Sequence, residues 1–345
     1  MAKKARILVL GTGGTIAGAG ESSTTATYKA GQIDASRLIA GVAQLNRIAE
    51  VKAETLYAKP SGDLGPREWL ALARRVQAAF EASEVDGVVV THGTDTLEEA
   101  AFFLDLLLKS GQPVVFTAAM RPATALGADG PANLFQAVRV AAAPESAERG
   151  VLVAMNDTVL PGWMAIKSAS LPVQAFRAYP GGPLGRVTGE RLTCFEPPRR
   201  SPLAGRFFSC LDGQRELPAV GIALVHGGCG EAPLAACRDA GYPGVVIAGF
   251  GGGTMPAPMA ALARRMAKDG VAIVVSSRVG EVAVFPEVMD LREDADIVAA
   301  SGFLNPQKSA LLLSLALAEG RKAAEISTLF GRLPACFGES YGSRL

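Results

Sequence analysis

The sequence predicts an α/β protein: a larger N-terminal domain built on a mostly parallel sheet flanked by helices, then a smaller α/β C-terminal domain. Three observations carry that reading. Short aliphatic runs such as Ile7–Leu10, Val85–Val90, Pro113–Ala118 and Val151–Met155 alternate with stretches whose apolar residues recur at helical spacing. The alternation stops around Phe195–Pro218, where Pro197-Pro198-Arg199-Arg200-Ser201-Pro202 is charged and proline-rich, and then resumes. A chain of 345 residues is also long for a single core. These features place an N-terminal domain at residues 1–196, a linker at 197–218 and a C-terminal domain at 219–345.

The first element is a buried strand, Ile7-Leu8-Val9-Leu10, followed at once by Gly11-Thr12-Gly13-Gly14-Thr15-Ile16-Ala17-Gly18. Glycine lets the chain turn sharply and come close to a ligand. The threonine hydroxyls fall where open α/β sheets bind ligands, beyond the carboxyl end of a parallel strand. The polar stretch Ala19–Gly31 follows, with Tyr28 near its end, and reads as a solvated loop or a lid. Val51–Tyr57 is a second strand, and the loop after it carries Ser61, Gly62 and Asp63. Pro66 opens a helix as its first residue, with Trp69, Leu72, Ala73, Val76 and Phe80 on the buried face.

Strand Val85–Val90 leads into Thr91-His92-Gly93-Thr94-Asp95-Thr96, and Thr96 with Glu99 has capping-box spacing, so a helix starts there. Its apolar face is Ala100, Phe103, Leu104 and Leu107. After strand Pro113–Ala118 come a long loop, Met120–Asn133, a helix over Ala132–Ala142 and strand Val151–Met155. Asn156-Asp157-Thr158 ends that strand, and Lys167 stands further on in a polar segment, where a lone lysine is usually solvated. The second domain reads as strands Ala219–Val225, Gly244–Ala248 and Val271–Ser276 alternating with helices Ala232–Ala240 and Pro256–Lys268. An acid-rich loop between Arg278 and Gly302 precedes two closing helices, Pro306–Glu319 and Ala323–Phe330.

Composition excludes several classes. A net charge of +1 gives no electrostatic footprint for nucleic acid or a membrane surface. No apolar run approaches the roughly 20 residues that span a bilayer. The N-terminal lysines precede an apolar run of only four residues, shorter than a secretory signal requires, which points to the cytoplasm. The five cysteines are odd in number and show no Cys-x-x-Cys pair, so neither a disulfide framework nor a zinc site is expected. Two histidines, His92 and His226, leave little for a metal centre.

A nucleotide site fits poorly. Gly11-x-Gly13 is half a dinucleotide fingerprint, but Ile16 occupies the third glycine position, and no phosphate-loop Gly-Lys-Ser/Thr occurs. What recurs is hydroxyl and carboxylate at successive strand ends: Thr12 and Thr15, Ser61 and Asp63, Thr94 and Asp95. That set suits an amino acid, with hydroxyls and backbone N–H groups on its carboxylate and Asp95 on its ammonium. A threonine nucleophile needs a base. With so few histidines, Tyr28 and Lys167 are the candidates, although the free side chains titrate near pH 10 and one would need burial or a positive neighbour to serve at neutral pH.

Six segments together resemble the bacterial-type L-asparaginases over nearly the whole chain. Thr12-Gly13-Gly14-Thr15-Ile16-Ala17-Gly18 and Thr91-His92-Gly93-Thr94-Asp95-Thr96 carry the resemblance. Ala119-Met120-Arg121-Pro122, Ala128-Asp129-Gly130-Pro131-x-Asn133-Leu134, Val153-x-Met155-Asn156-Asp157-Thr158 and Leu304-Asn305-Pro306-Gln307-Lys308 support it. The resemblance implies hydrolysis of asparagine to aspartate and ammonia, with some action on glutamine, without metal or cofactor. It implies Thr15 as nucleophile, Tyr28 as the lid tyrosine bonded to it, and Thr94, Asp95 and Lys167 as a second proton-transfer cluster. Asp95 and Thr94 double as substrate ligands, Ser61 binds the substrate carboxylate, and Thr12 stays with the turn. Donors at the strand ends would meet the oxyanion, each typically worth about 3–4 kcal/mol in the transition state. The resemblance also implies a homotetramer, a dimer of dimers, in which a neighbour's C-terminal domain contributes an acid.

Two departures bear on substrate choice. Gly62 stands where many relatives carry Gln or Glu on the substrate amino group, and Gly251-Gly252-Gly253-Thr254 replaces a segment that often carries asparagine. The neighbour's acid is Asp290 in an ungapped register and Glu287 or Glu293 in a shifted one. Two other readings stay open from sequence: an amidase of the same fold preferring glutamine or another amino acid amide, and a non-catalytic amino-acid-binding protein.

Overall fold

The structure, a computed structural model, describes residues 3–23, 27–109, 111–213 and 216–335. The chain divides into two compact units, Met1–Leu211 and Asp212–Leu345. Cys336 and the central lid residues 24–26 lie outside the described residues. No helix among the described residues is long and apolar enough to cross a membrane.

The first unit runs β1 (Ala5–Gly13), α1 (Ala35–Ala40), α2 (Leu45–Ile48), β2 (Ala49–Lys59), α3 (Pro66–Glu81), β3 (Gly87–Thr91), α4 (Leu97–Leu107), β4 (Val114–Thr117), α5 (Gly130–Ala141) and β5 (Val151–Met155). It continues with β6 (Thr158–Pro161), β7 (Ala165–Lys167), β8 (Phe176–Ala178), β9 (Gly185–Thr188) and β10 (Arg191–Cys194). Eight strands form one sheet in the order β10-β9-β6-β5-β4-β3-β1-β2, while β7 and β8 pair in a separate hairpin. From β2 to β5 every pairing is parallel, as the sequence predicts, and both faces of β1, β3, β4 and β5 are covered, while the edge strand β2 stays partly exposed. Ile7, Val9, Val89, Val115, Leu152 and Ala154 pack under α1, α2 and α5. Their alternates Leu8, Leu10, Val88, Val90 and Phe116 are equally buried on the other side.

Helix α3 begins at Pro66 and buries the predicted face, with the Trp69 ring tilted against that of Phe103 of α4 at a centroid distance of 5.9 Å. Helix α5 lies on the face of α1 and α2, whereas α3 and α4 cover the opposite face. The crossovers β3–α4–β4 and β4–α5–β5 thus advance in one direction on opposite faces, so their hands differ. The earlier crossovers agree with β3–α4–β4, which makes β4–α5–β5 left-handed, a rare arrangement. Its consequence is local: Ala119, just past β4, packs against Ile16 and Ala17 beyond β1.

Three expectations are corrected here. Helix α4 does start after Thr96, but Thr96 makes no cap bond; its hydroxyl donates to the Ser61 carbonyl at 2.9 Å. The Ser61 loop leans on the helix start, and its backbone acceptor takes the donor that a cap would have used. Between β5 and the linker, where the sequence marks no further strand, the chain reverses and forms more. Asn156 and Asp157 take φ of +48° and +62°, a two-residue turn that Asn and Asp tolerate, and β6, β9 and β10 extend the sheet antiparallel. Lys167 accordingly stands at the end of a strand, β7, and not in a polar loop.

Residues 197–211 fold onto the first unit. Arg149 donates to the carbonyls of Glu196 and Pro197, Arg200 donates to those of Leu108 and Lys109, and Leu203 and Phe207 are fully buried.

The second unit runs β11 (Val220–Leu224), α6 (Ala232–Asp239), β12 (Gly244–Gly249), α7 (Ala257–Lys268), β13 (Ala272–Ser277), β14 (Val298–Ala300), α8 (Pro306–Ala318) and α9 (Ala323–Ala335). Its sheet is parallel throughout, β11-β12-β13-β14. Strand β14 lies in the stretch read as an acid-rich loop; three residues are too few to show alternation. Asn305 caps α8 by accepting the Lys308 N–H at 3.1 Å.

Candidate active site

Strand order decides where a ligand can bind in the first unit. From β1 the chain leaves toward β2, and from β3 it leaves toward β4, on the other side of the adjacent β1–β3 pair. The crevice beyond the carboxyl ends of β1 and β3 is therefore the topological switch point. Thr15 follows β1 and Thr94 follows β3.

The two loops touch through glycine. A Cβ added to Gly14 would lie 2.3 Å from the Gly93 Cα, and one added to Gly93 would lie 2.5 Å from the Ser61 Oγ. Gly14 also holds φ at +79°, where a side chain is strained. The backbones carrying Thr15, Thr94 and Ser61 thus converge on one point.

Thr15 opens a 3-10 turn, Thr15–Ala17, and is buried. Its Oγ1 is 2.6 Å from the Tyr28 hydroxyl, a short hydrogen bond in which either oxygen can donate. Tyr28 is 38% exposed, so it covers the site from the solvent side. The ends of its loop are pinned: Ala19 and Lys29 exchange backbone bonds at 3.1 and 3.0 Å, and the Leu126 N–H donates to the Ser23 carbonyl at 3.0 Å. Thr12 has a different partner. Its hydroxyl donates to the Thr91 carbonyl at 3.0 Å, stitching β1 to β3.

Lys167 joins the second cluster. Its Nζ donates to Thr94 Oγ1 at 3.0 Å and to Asp95 Oδ1 at 2.6 Å. The lysine side chain is 19% exposed and that of Asp95 74%, so the pair straddles the surface of the crevice. Glu98, which the sequence does not single out, is buried and accepts the Lys167 backbone N–H. No periodic signal marks it, because α4 is enclosed on nearly all sides and its polar first turn looks solvated from sequence.

His92 lies fully buried beside Phe116, with Nδ1 bonded to the Gly93 carbonyl at 2.8 Å. Burial outweighs that bond and pushes its pKa down to about 4. It is neutral at physiological pH and shapes the Gly93 backbone. Ser61 is buried, and Gly62 beside it faces open space, with no atom within 4 Å of an added Cβ.

The other motif residues form a scaffold. The Asp129 carboxylate accepts the N–H groups of Met120 and Arg121 at 3.0 and 2.9 Å and the Asn133 amide at 3.1 Å. Asn133 donates to the Ala118 carbonyl and accepts from the Asn156 N–H, both at 2.9 Å. One network therefore ties the ends of β4 and β5 to the floor under Ile16.

In the second unit, Asp290 is exposed and its Oδ2 accepts the Met255 N–H at 2.8 Å, next to Thr254. Glu287 and Glu293 are exposed. Among the described residues no group of three or more His, Cys, Asp and Glu side chains could hold a metal ion.

Comparison with known proteins gives consistent matches. The family model of the asparaginase N-terminal domain matches residues 6–200, and that of the glutaminase/asparaginase C-terminal domain matches residues 219–330. The chain is 41% identical to L-asparaginase 2 of Escherichia coli strain K12, over 94% of this chain and 92% of that protein. It is also 41% identical to a probable periplasmic L-asparaginase of Haemophilus influenzae, over 94% and 92% respectively. Among solved structures, a probable cytoplasmic L-asparaginase from Campylobacter jejuni superposes with a TM-score of 0.88 at 37% identity, covering 95% of this chain and all of that one.

Proposed function

The chain belongs to the asparaginase family of amide hydrolases, and from that premise we propose that it converts L-asparagine to L-aspartate and ammonia through a threonine acyl-enzyme, with glutamine as a second substrate. One observation carries the proposal. Two hydroxyl–partner pairs, Thr15 with Tyr28 and Thr94 with Lys167 and Asp95, flank the same switch point.

In this reading Thr15 Oγ adds to the side-chain amide carbon. Its proton passes to the Tyr28 oxygen while Tyr28 gives its own proton toward the leaving nitrogen, the C–N bond breaks and ammonia departs. Water then attacks the ester, its proton returns to Thr15 Oγ, and aspartate is released. Thr94 and Lys167 line the path of that water, with Asp95 fixing the ammonium. Asp95 also takes the substrate ammonium, beside which Gly62 lies, and Ser61 takes the substrate carboxylate. Ammonia release from asparagine should vanish in Thr15→Ala and in Lys167→Met; unchanged turnover in either variant sinks the role assigned to that residue.

A preference for glutamine is the second reading, and the open space at Gly62 favours it, since a longer substrate finds no side chain there. The ratio of kcat/KM for the two amides decides between them. We further propose a homotetramer built from dimers in which a neighbour's Asp290 completes each site; its exposed carboxylate, bonded to Met255 through Oδ2, supports that reading. Light scattering on the purified protein measures the assembly. The relatives carry names from both periplasm and cytoplasm, and the odd cysteine count supports the cytoplasm here.

A further inference from the structure

We propose that Glu98 is a positioning residue of this site, acting on the reaction through the backbone of Lys167. The inference rests on the reading that Lys167 takes part in the chemistry. Glu98 is the second residue of α4, 3% exposed, and its Oε2 accepts the Lys167 N–H. Four residues upstream, Thr94 receives the other end of the same lysine, and Asp95 shares it. The stretch Thr94–Glu98 therefore grips Lys167 at both its backbone N–H and its Nζ.

The grip is needed because of where Lys167 stands. Strand β7 has three residues and pairs only with β8, through Ala165–Ala178, Ile166–Arg177 and Lys167–Phe176, outside the main sheet. A two-stranded hairpin is marginal by itself. Nothing in its ladder sets the distance from Lys167 to the end of β3. The carboxylate of Glu98 does, by fixing the lysine backbone to the helix that follows Thr94 and Asp95. A lysine side chain has a flexible four-carbon stem, so a fixed backbone narrows what the Nζ must search. A carboxylate in the first helical turn is also favoured by the helix dipole.

This role asks Glu98 for an acceptor at a given reach and not for charge. Glu98→Gln offers an amide oxygen at the same reach, Glu98→Asp keeps the charge one methylene short, and Glu98→Leu removes the acceptor. Steady-state asparagine hydrolysis separates them. Glu98→Asp and Glu98→Leu should lower kcat about 10- to 100-fold, the usual cost of a misplaced group, with KM within about threefold. Glu98→Gln should stay within about threefold of the parent in both constants. The kcat–pH profile should shift in Glu98→Asp and not in Glu98→Gln, since the Lys167–Asp95 contact changes only in the first. Parental kcat in Glu98→Asp overturns the proposal, as does a Glu98→Gln variant as slow as Glu98→Leu, or a loss confined to KM. If Glu98→Leu does not fold, the Asp and Gln pair still decides. Lys167→Met in the same assay tests the underlying reading: full activity there sinks the catalytic role of Lys167, whereas an inactive Lys167→Met beside a fully active Glu98→Asp sinks only the positioning role.

Discussion

Gly14 rests directly on the backbone of Gly93: a Cβ on Gly14 would come within 2.3 Å of the Gly93 Cα and 2.4 Å of its nitrogen. The contact sets Thr15 beside the Thr94 loop, and it excludes any side chain at Gly14. Gly14→Ala adds backbone strain at φ +79° to that clash. It should lower stability by more than about 2 kcal/mol in urea unfolding and reduce kcat/KM at least about 100-fold. Gly62→Ala is the matched control, with nothing within 4 Å, and should change stability by no more than about 0.5 kcal/mol. Equal behaviour of the two variants would show that the Gly14–Gly93 contact does not organise the site.

Tyr28 lies over Gly18 with its ring and reaches Thr15 with its hydroxyl. Tyr28→Phe keeps the ring contact and deletes the proton path. The loss should fall on kcat, about 10²- to 10⁴-fold, with KM changed far less. Single-turnover ammonia release checks it; a variant that raises KM alone would make Tyr28 a cover for the substrate and not a proton carrier.

These residues differ in how far the sequence exposes them. The parallel core was legible because β1, β3 and β4 are apolar runs that end in Gly or Thr, while β2 mixes polar and apolar residues as an edge strand does, so Thr15, Ser61, Thr94 and Asp95 could all be placed at one sheet edge. Lys167 was legible only as one of two candidate bases and, for its place beside Thr94 and Asp95, through the family likeness. Its strand has three residues and its partners lie more than 70 positions away, at Thr94 and Asp95. The Asn156–Asp157 turn was visible as composition, but the reversal to antiparallel pairing depends on β9 and β10, whose runs are too short to announce themselves. Thr96 misled for a physical reason: capping-box spacing is local, whereas its hydroxyl answers a carbonyl 35 residues away.

Two buried groups of the first unit titrate in opposite senses. His92, pushed by burial from 6.5 down to about 4, stays neutral in the fold while the unfolded chain takes up a proton, so stability is lost as pH falls from 6.5 to 4. Asp105 is raised by burial from 3.8 to about 6, against the opposing Val151 N–H and the charge of Arg200. Its contribution is full below pH 3.8 and is lost as pH rises toward 6. Each amounts to about 3 kcal/mol at most, so between pH 4 and 6 the two slopes nearly cancel. Asp105→Asn should therefore stabilise the protein at pH 7.5 and lose that gain by pH 4. Urea midpoints across that range test it; destabilisation at pH 7.5 would mean that pairing with Arg200 outweighs burial.

The two threonines of the first loop should part company under mutation. Thr12 and Thr15 are both buried, 1% and 7% exposed, but their hydroxyls face different partners. That of Thr12 is committed to the Thr91 carbonyl inside the sheet, while that of Thr15 faces Tyr28 at the crevice. Thr12→Val deletes a buried hydrogen bond and should cost about 1 kcal/mol of stability. It leaves the crevice groups in place, so kcat should stay within about twofold. Thr15→Val should reverse the pattern, abolishing turnover while stability moves by less than about 1 kcal/mol, because its hydroxyl partner Tyr28 can turn to water. Urea unfolding and ammonia release on the two proteins form a four-way comparison. A Thr12→Val variant that loses activity in proportion to Thr15→Val would mean that the turn, and not the hydroxyl beyond it, is what the reaction requires.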